Sequence, residues 1–300
     1  MFGRRNRLQG RTDEQLLLMR EAGLLVGRTL ELLAGELRPG LTTLELDRLA
    51  EDFIRSNGGI PNFQLVPGYS HTLCTSVNEE VVHGIPGSRV LHEGDIVSID
   101  CGAEVSGWNG DAAFTAVVGG PEAGRPEDLD LIAATEASLY AGIAAMRVGD
   151  RLYAVGEAVE GSIEAAAERD SRVYGVIEDY VGHGIGTQMH MDPQIPNYAV
   201  RDVGPKLVSG FTGAIEPMVT LGTTDTRCWP TTGPSSRPTA PGPRTGSTPS
   251  PSAATGCGSS RPSTVARRRW QPAARHTPRW PDRPARSSPG GNATARTVCA

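Results

Sequence analysis

The last quarter of the sequence lacks most of the residue types that build a hydrophobic core. Residues 228–300 contain no Leu, Ile, Phe, Tyr, Met, Glu or Lys, and they hold thirteen of the chain's 23 prolines. Such a composition cannot bury enough apolar surface to offset the entropy that is lost when a chain becomes ordered. We therefore predict a folded domain over residues 1–227 and a disordered Pro-, Ser- and Arg-rich tail over residues 228–300.

Net charge separates the same two parts. The tail has eleven Arg and one Asp, a net charge of +10, and because the whole chain carries −5, residues 1–227 carry −15. An acidic domain is unfavourable for binding the phosphates of nucleic acids, so no nucleic-acid partner is expected. The arginines of the tail can attract anions without specificity, but a solvated segment is the simpler explanation.

Cysteines and long apolar runs are also scarce. Residues 1–227 contain only Cys74 and Cys101, without the close spacing of a thiolate metal site and with no reason to expect a disulfide. The basic opening MFGRRNRLQGR is not followed by an apolar segment, and no run of eighteen apolar residues occurs. These absences favour a cytoplasmic protein without a membrane partner.

Hydrophobic spacing predicts two helices followed by strands, and then the same order again. Helical spacing follows an Asp that can cap at position 13, and it follows Thr42. Strand patterns come next, in HTLCTSV, EEVVHGI and DIVSIDCGAEV. Helical patterns return over 126–147 and 153–169, and strand patterns continue from Val173. The repeat predicts an α+β domain of two similar halves, with a site where their sheets meet.

Two aspartates lie in the predicted hairpin SIDCGAEVSGWNGDAAFTAVV. Asp100 and Asp111 are on opposite arms, about where cross-strand neighbours fall, and both are in apolar strands. A buried carboxylate needs a positive partner, which is either a basic side chain or a metal ion. The only lysine of the chain is Lys206 and the hairpin contains no Arg, so a metal ion is favoured over a salt bridge.

Two further clusters contain candidate ligands. In YVGHGIGTQMHMDP, glycines flank His183 and His190 follows seven residues later, although a single His in such a loop is more often structural. In GAIEPMV, Glu216 is predicted to lie inside an apolar strand, where a buried carboxylate again favours a cation. A mixed set of carboxylates and imidazole suits Mn, Fe, Co or Zn.

Four motifs together carry a family resemblance. EEVVHGIP, IDCGAEVSGWNGD, GHGIGTQMH and IEPM, in this order and at these separations, resemble the type I methionine aminopeptidases, which have the pita-bread metallopeptidase fold. The resemblance covers roughly residues 10–226 and implies removal of the initiator methionine from nascent polypeptides by metal-activated water. We accordingly expect a cytoplasmic monomer whose partners are nascent chains with an N-terminal Met, with the ribosome as a candidate partner.

The resemblance also implies roles for individual residues. It implies two divalent ions, of Co, Mn, Fe or Zn, held by Asp100, Asp111, His183 and Glu216, with Asp111 bridging both ions. His83 and His190 match the two histidines that contact the substrate and the tetrahedral intermediate. Tyr69 and Cys74 fall where the family lines its methionine pocket. Met191, beside His190, occupies a position where a polar residue is expected.

One ligand of the family is missing from the chain. The family requires a second glutamate that bridges both ions, about thirty residues after Glu216 in a strand resembling WEHT, yet no Glu follows Glu216. If the codons of the tail are read one base out of frame with permitted wobble bases, Arg227 to Ser236 give VLADDWAVV and Pro243 to Pro251 give AHWEHTVA. The glutamate then falls across the codons of Gly246 and Ser247. We therefore predict a frame shift near Arg227, and impaired activity for the chain as printed.

Two alternatives remain open at this point. A related pita-bread peptidase, such as an Xaa-Pro dipeptidase, is one of them, although the short N-terminal region and the motif GHGIGTQMH favour the aminopeptidase. The other is a catalytically dead pita-bread protein that binds a partner, such as nascent chains, without turnover.

Overall fold

A computed structural model describes residues 8–222, 224 and 226–229, together with the backbone strands at 256–259 and 263–265. The helices in this part are α1 (Asp13–Glu36), α2 (Thr43–Ser56), α3 (Pro126–Ala145) and α4 (Ala154–Asp170). The strands are β1 (Ile60–Pro61), β2 (Leu73–Val77), β3 (Glu80–Val81), β4 (Ile96–Val105), β5 (Trp108–Val117), β6 (Tyr174–Val176), β7 (Gly182–Gly184), β8 (Met191–Ile195), β9 (Gly213–Ala214), β10 (Met218–Leu221), β11 (Thr226–Trp229), β12 (Gly256–Ser259) and β13 (Ser263–Val265).

The first two helices begin at reciprocal capping boxes. Thr12 is the N-cap of α1: its side chain accepts a hydrogen bond from the Gln15 backbone N–H, and the Gln15 side chain accepts one from the Thr12 N–H. Thr42 and Glu45 do the same for α2. The prediction that Asp13 caps α1 is wrong by one residue, because a threonine followed three residues later by Gln satisfies two backbone donors at once.

The first half of the molecule packs α1 and α2 against a sheet centred on β4. One edge of β4 pairs with β1 and β2, and its other edge pairs with β5 along its full length, from Ile96 opposite Val117 to Val105 opposite Trp108. The two-residue turn Ser106–Gly107 has positive φ at both positions (52° and 80°), as a tight hairpin requires. The core between helices and sheet includes Leu25, Leu46, Leu73, Ile99 and Phe114.

The second half repeats the arrangement with α3, α4 and two small sheets. One of these sheets contains β13, β10 and β6, and the other contains β8, β7 and β9. Leu131 of α3, Ile163 of α4 and Val219 of β10 share one buried cluster, so both helices cover the same sheet. The predicted α+β architecture of two helix–strand halves is therefore confirmed.

Three short strands involve the segment predicted as a tail or its junction with the domain. β11 pairs with β12, β12 with β3, and β13 with β10. Composition did not predict these strands, because ladder pairing uses backbone groups that every residue except proline supplies in full. For the other residues of 228–300, the prediction of disorder lies outside the described residues. Within the described part, no helix is both long and apolar enough to cross a bilayer.

Candidate metal centre and substrate cavity

Three buried side chains from different elements form a compact group of potential ligands. Asp111 extends from β5, His183 from β7 and Glu216 from the segment after β9, and one ligand atom of each lies within 4.8 Å of the other two. His183 Nε2 is 2.9 Å from Glu216 Oε1 and 3.6 Å from Asp111 Oδ2. Two carboxylates and one imidazole at these separations fit a divalent transition-metal ion, because such an ion balances the two negative charges and binds all three donors.

The ring orientation of His183 suits metal binding through Nε2. Its Nδ1–H donates a hydrogen bond of 2.9 Å to the Gly184 carbonyl oxygen. In the neutral imidazole, this bond keeps the proton on Nδ1 and leaves the Nε2 lone pair facing Asp111 and Glu216. The sequence presents His183 between two glycines, and the backbone here is packed tightly, since a Cβ on Gly182 would lie 2.2 Å from the Ala214 carbonyl oxygen.

We expect metal binding to displace one proton from His183. Burial by itself would lower the pKa of His183, but hydrogen bonds to Asp111 and Glu216 outweigh it and raise the pKa from 6.5 to about 10. Without metal, the charged ring therefore stabilises the fold fully below pH 6.5, and this contribution is lost as the pH rises through about 10. Because a ligating ring must be neutral, metal affinity should rise about tenfold per pH unit between pH 7 and 9.

Calorimetric titration of the metal-free protein with Mn²⁺ measures this effect. Repeating the titration at pH 7.5 in buffers of different ionisation enthalpy should give release of about one proton per ion bound. A Kd for Mn²⁺ that does not change between pH 7 and 9 would contradict the expected loss of a proton from His183 on metal binding.

Glu216 does not lie inside a strand, in contrast to the sequence prediction. It falls between β9 and β10, because Pro217 has no N–H and interrupts the ladder. The buried Asn197 side chain takes the place of a neighbouring strand: its Nδ2 donates to the Glu216 carbonyl at 2.7 Å, and its Oδ1 accepts from the Glu216 N–H at 3.3 Å. These two hydrogen bonds fix the backbone of Glu216, from which its carboxylate extends.

Asp100 lies in the same cavity but outside the compact group. The register pairs Asp100 with Ala113 and Asp111 with Gly102, so the two aspartates are diagonal neighbours on one face of the hairpin and not directly opposite each other. Diagonal positions on paired strands are about 7–8 Å apart, so Asp100 lies beside the compact group and is not part of it. The cavity is lined by Asp100, Asp111 and Glu216 together.

A cavity of about 330 Å³ opens onto these carboxylates. Both predicted substrate histidines line it, and both are exposed: His83 follows β3, and His190 ends the loop after β7. The ring of His190 meets the ring of His183 edge to face with 4.4 Å between centroids, and His83 meets Tyr180 in the same way at 5.5 Å. The structure therefore brings His83 and His190 to the metal group without including either in it.

The predicted pocket residues Tyr69 and Cys74 lie side by side in the cavity wall. The Tyr69 hydroxyl donates a 2.6 Å hydrogen bond to the Leu73 carbonyl and lies 3.4 Å from Cys74 Sγ. Burial first, and then the nearby Cys74 thiol, raise the pKa of Tyr69 far above its usual range. The phenol therefore stays neutral, and it offers a polar contact in an otherwise apolar wall.

Asp47, which the sequence did not mark as a candidate, holds this wall in place. Asp47 of α2 is buried, and its Oδ1 accepts from the backbone N–H groups of Thr72 and Leu73, both at 2.8 Å. Its Oδ2 accepts from His71 Nδ1 at 3.1 Å. Nothing in the helical pattern around Asp47 distinguishes it from a solvated charge, because its partners follow more than twenty residues later. Other wall residues that were not predicted are Phe63, Val66, Pro67, Gly68, Ile85 and Met189.

Comparison with known proteins agrees with this geometry. The sequence profile of metallopeptidase family M24 matches residues 17–237. The chain is 47% identical over 214 residues to a methionine aminopeptidase of Clostridium acetobutylicum, an alignment that covers 71% of this chain and 82% of the relative. It is 48% identical over 217 residues to methionine aminopeptidase 1 of Mycobacterium tuberculosis, covering 72% of this chain and 80% of the relative.

Solved structures give the same result. The fold is similar to that of methionine aminopeptidase from Rickettsia prowazekii, with a TM-score of 0.72 and 30% identity over 86% of this chain and 93% of the other. The enzyme from Thermotoga maritima gives 0.68 and 36% identity, covering 73% of this chain and 85% of the other. A prolidase from Pyrococcus furiosus, at 20% identity and a TM-score of 0.58, shares the fold alone. The chain thus belongs to metallopeptidase family M24, within the type I methionine aminopeptidases of the pita-bread fold.

Proposed function

We propose that this chain descends from, and is built as, an enzyme that removes the initiator methionine from nascent polypeptides. The observation that carries the proposal is the buried group of Asp111, His183 and Glu216, whose two carboxylates line a cavity that Tyr69 and Cys74 also line. A metal group with exposed imidazoles beside it suits hydrolysis of a peptide bond next to a free N-terminus. Proteins named methionine aminopeptidase, at up to 48% identity, support the same activity.

Each group of the cavity has a separate task in this proposal. Two divalent ions, of Co, Mn, Fe or Zn, would activate water and polarise the scissile carbonyl when bound. Asp111, His183 and Glu216 would hold one ion, and Asp100 with Asp111 would contribute to the second. His83 and His190 would donate hydrogen bonds to the substrate carbonyl and to the developing oxyanion. The wall containing Tyr69 and Cys74 would receive the methionine side chain.

We also propose that the chain as printed is impaired. Asp111, His183 and Glu216 form a three-ligand set, whereas the second ion would have only Asp100 and Asp111 among the residues with described side chains. Two cations close together repel each other strongly, and each carboxylate that bridges them reduces that repulsion. The missing glutamate predicted from the sequence would have been such a bridge. The second ion is therefore expected to bind weakly.

His190 should act on turnover and not on metal binding. In a chain with its frame restored, His190→Ala should lower kcat for methionine release by about 10²–10³, because one hydrogen-bond donor to the oxyanion is lost. Metal content, measured by atomic absorption after gel filtration, should stay the same, since His190 is outside the compact ligand group. A loss of metal from this variant would mean that His190 is a ligand.

One assay tests the proposed activity against its two alternatives. Frame-restored protein is incubated with Mn²⁺ or Co²⁺ and either Met-Ala-Ser or an Xaa-Pro dipeptide, and the released amino acid is measured by chromatography. Release of methionine without cleavage of Xaa-Pro supports the proposal. Cleavage of Xaa-Pro supports a dipeptidase, and metal binding without any turnover supports a binding protein.

The proposed substrates place the chain where new polypeptides emerge. We propose cytoplasmic action on nascent chains with N-terminal Met, near the ribosome, by a monomer. The acidity of residues 1–227 opposes direct binding to nucleic acid in this setting.

A further inference from the structure

The two halves of the molecule meet beside the metal group through a buried asparagine. Asn109 of β5 is 3% exposed, and β5 does not pair with the β8–β7–β9 sheet that carries His183. Its backbone N–H and its side-chain Nδ2 both donate to the same acceptor, the Gly186 carbonyl oxygen, at 2.9 and 3.0 Å. A single carbonyl of the second half is therefore held by two donors from the first half.

The side-chain orientation of Asn109 is set by a second buried asparagine. Asn62, 2% exposed, donates from Nδ2 to Asn109 Oδ1 at 3.1 Å and to the Gly110 carbonyl at 3.4 Å. This bond occupies the oxygen of the Asn109 amide and turns its NH₂ toward Gly186. A series of hydrogen bonds from Asn62 through Asn109 to Gly186 thus connects the first half to the second.

This series of hydrogen bonds ends close to two of the three potential metal ligands, Asp111 and His183. Asn109 precedes Asp111 by two residues on one strand, so both side chains lie on the same face of β5. Gly186 follows His183 by three residues, at the start of the loop that ends at His190. The hydrogen bonds from Asn109 to Gly186 therefore connect the strand that carries Asp111 to the loop that follows the strand of His183.

Gly186 and Ile185 are also contacted by Arg11 and Thr212. A Cβ on Gly186 would lie 2.6 Å from Nη2 of Arg11, whose guanidinium also lies 5.8 Å from the centre of the Trp108 ring. On the other side, the Ile185 N–H donates to the Thr212 carbonyl at 3.3 Å, and the Thr212 hydroxyl donates to the Ile185 carbonyl at 2.6 Å. Thr212 thus holds the backbone of Ile185, and Arg11 and Asn109 contact the neighbouring Gly186.

We propose that Asn109 is a positioning residue that holds β7 and the loop after it, as far as His190, at the distance from Asp111 at which one ion would contact both Asp111 and His183. Asn109 itself contacts neither the ion nor the substrate. The consequence for metal affinity rests on the proposed function, whereas the position of the loop does not.

Asn109→Asp tests the proposal with a nearly isosteric change. It replaces the donating NH₂ by a carboxylate oxygen that repels the Gly186 carbonyl, while the backbone N–H of residue 109 keeps its own hydrogen bond. The matched control is Asn57→Asp, the same change at an exposed asparagine whose Nδ2 donates to the Phe53 carbonyl at 2.8 Å. Both variants are made in the chain as printed, and each is compared with the parent by hydrogen–deuterium exchange without metal and by calorimetric titration with Mn²⁺.

We expect Asn109→Asp to speed amide exchange over residues 182–190 and to raise the Kd for Mn²⁺ by about 10-fold, the lower end of the range for a group that hydrogen-bonds a ligand directly, because Asn109 acts through Gly186. Asn57→Asp should change neither quantity. Unchanged exchange over 182–190 would overturn the positioning role, even if the melting temperature fell. Faster exchange with an unchanged Kd for Mn²⁺ would show that Asn109 holds the loop without affecting metal binding, which would overturn that part of the proposal. If the parent binds no Mn²⁺, the proposed metal site fails, and the exchange measurement alone decides whether Asn109 holds the loop.

Discussion

Inserting or removing one base near codon 227 should raise methionine release by about 100-fold or more over the chain as printed, because loss of a direct metal ligand costs more than the 10–100-fold of an outer partner. The predicted restored frame would supply a glutamate about thirty residues after Glu216, where the family resemblance expects a carboxylate that bridges both ions. Water activation between two ions depends on both being bound. The measurement compares initial rates on Met-Ala-Ser, with Mn²⁺ or Co²⁺ supplied in excess to both proteins.

Metal content distinguishes the loss of a bridging glutamate from simple misfolding as the cause of low activity. The printed chain should retain about one ion per molecule after dialysis and the restored chain about two, because Asp111, His183 and Glu216 are present in both. Equal rates and equal metal content would contradict the account. In that case β12 and β13, which pair with β3 and β10, would be sufficient replacements for the expected last strands.

Asp111→Asn should have the largest effect of any single substitution, removing both ions and lowering methionine release below detection in the restored chain. Asp111 belongs to the compact ligand group and lies beside Asp100 in the cavity, so it is the carboxylate best placed to contact both ions. A neutral amide there leaves the cations without their shared charge, and direct ligands contribute more than the 10–100-fold of their outer partners. Atomic absorption and the Met-Ala-Ser assay measure the two effects.

Asp128→Asn is the matched control for this substitution. Asp128 is also a buried aspartate, but its carboxylate pairs with Arg125 at 2.6 Å at the start of α3. Its variant should melt at a lower temperature and keep its metal, because only a structural ion pair is broken. Retention of both ions by Asp111→Asn would show that Asp111 is not the bridging ligand.

Local sequence patterns predicted residues that the structure brings together at the cavity, but they did not predict the backbone geometry of those residues. Asp100, Asp111 and Glu216 are predicted as ligands because carboxylates in apolar segments need a cation, whereas the role of His183 is implied by the resemblance of its glycine-rich motif. The diagonal register of the two aspartates and the strand break at Glu216 depend on turn geometry and on Asn197, a partner nineteen residues away. Such details follow from tertiary packing, which periodicity does not contain.

Asn109 and Asp47, which hold the site in place, show more clearly that local sequence patterns do not reveal tertiary contacts. Asn109 lies in the hairpin segment that contains both aspartates, and its sequence context is that of a turn residue. Its role depends on Asn62 and Gly186, which are 47 and 77 residues away in sequence. Asp47 was predicted only as part of an amphipathic helix. Buried polar residues of this kind are recognised once their hydrogen-bond partners are known.

The attachment of the cavity wall to Asp47 has a consequence for how this protein can evolve. The backbone that presents Tyr69 and Cys74 is held by a carboxylate on α2, a helix that contributes no residue to the cavity surface. Selection for activity on a different N-terminal residue can therefore act in two independent ways. It can replace side chains in the wall, or it can shift the backbone of an unchanged wall through substitutions on α2. Laboratory lineages that follow the second route would change substrate preference while every residue in contact with the substrate stays the same.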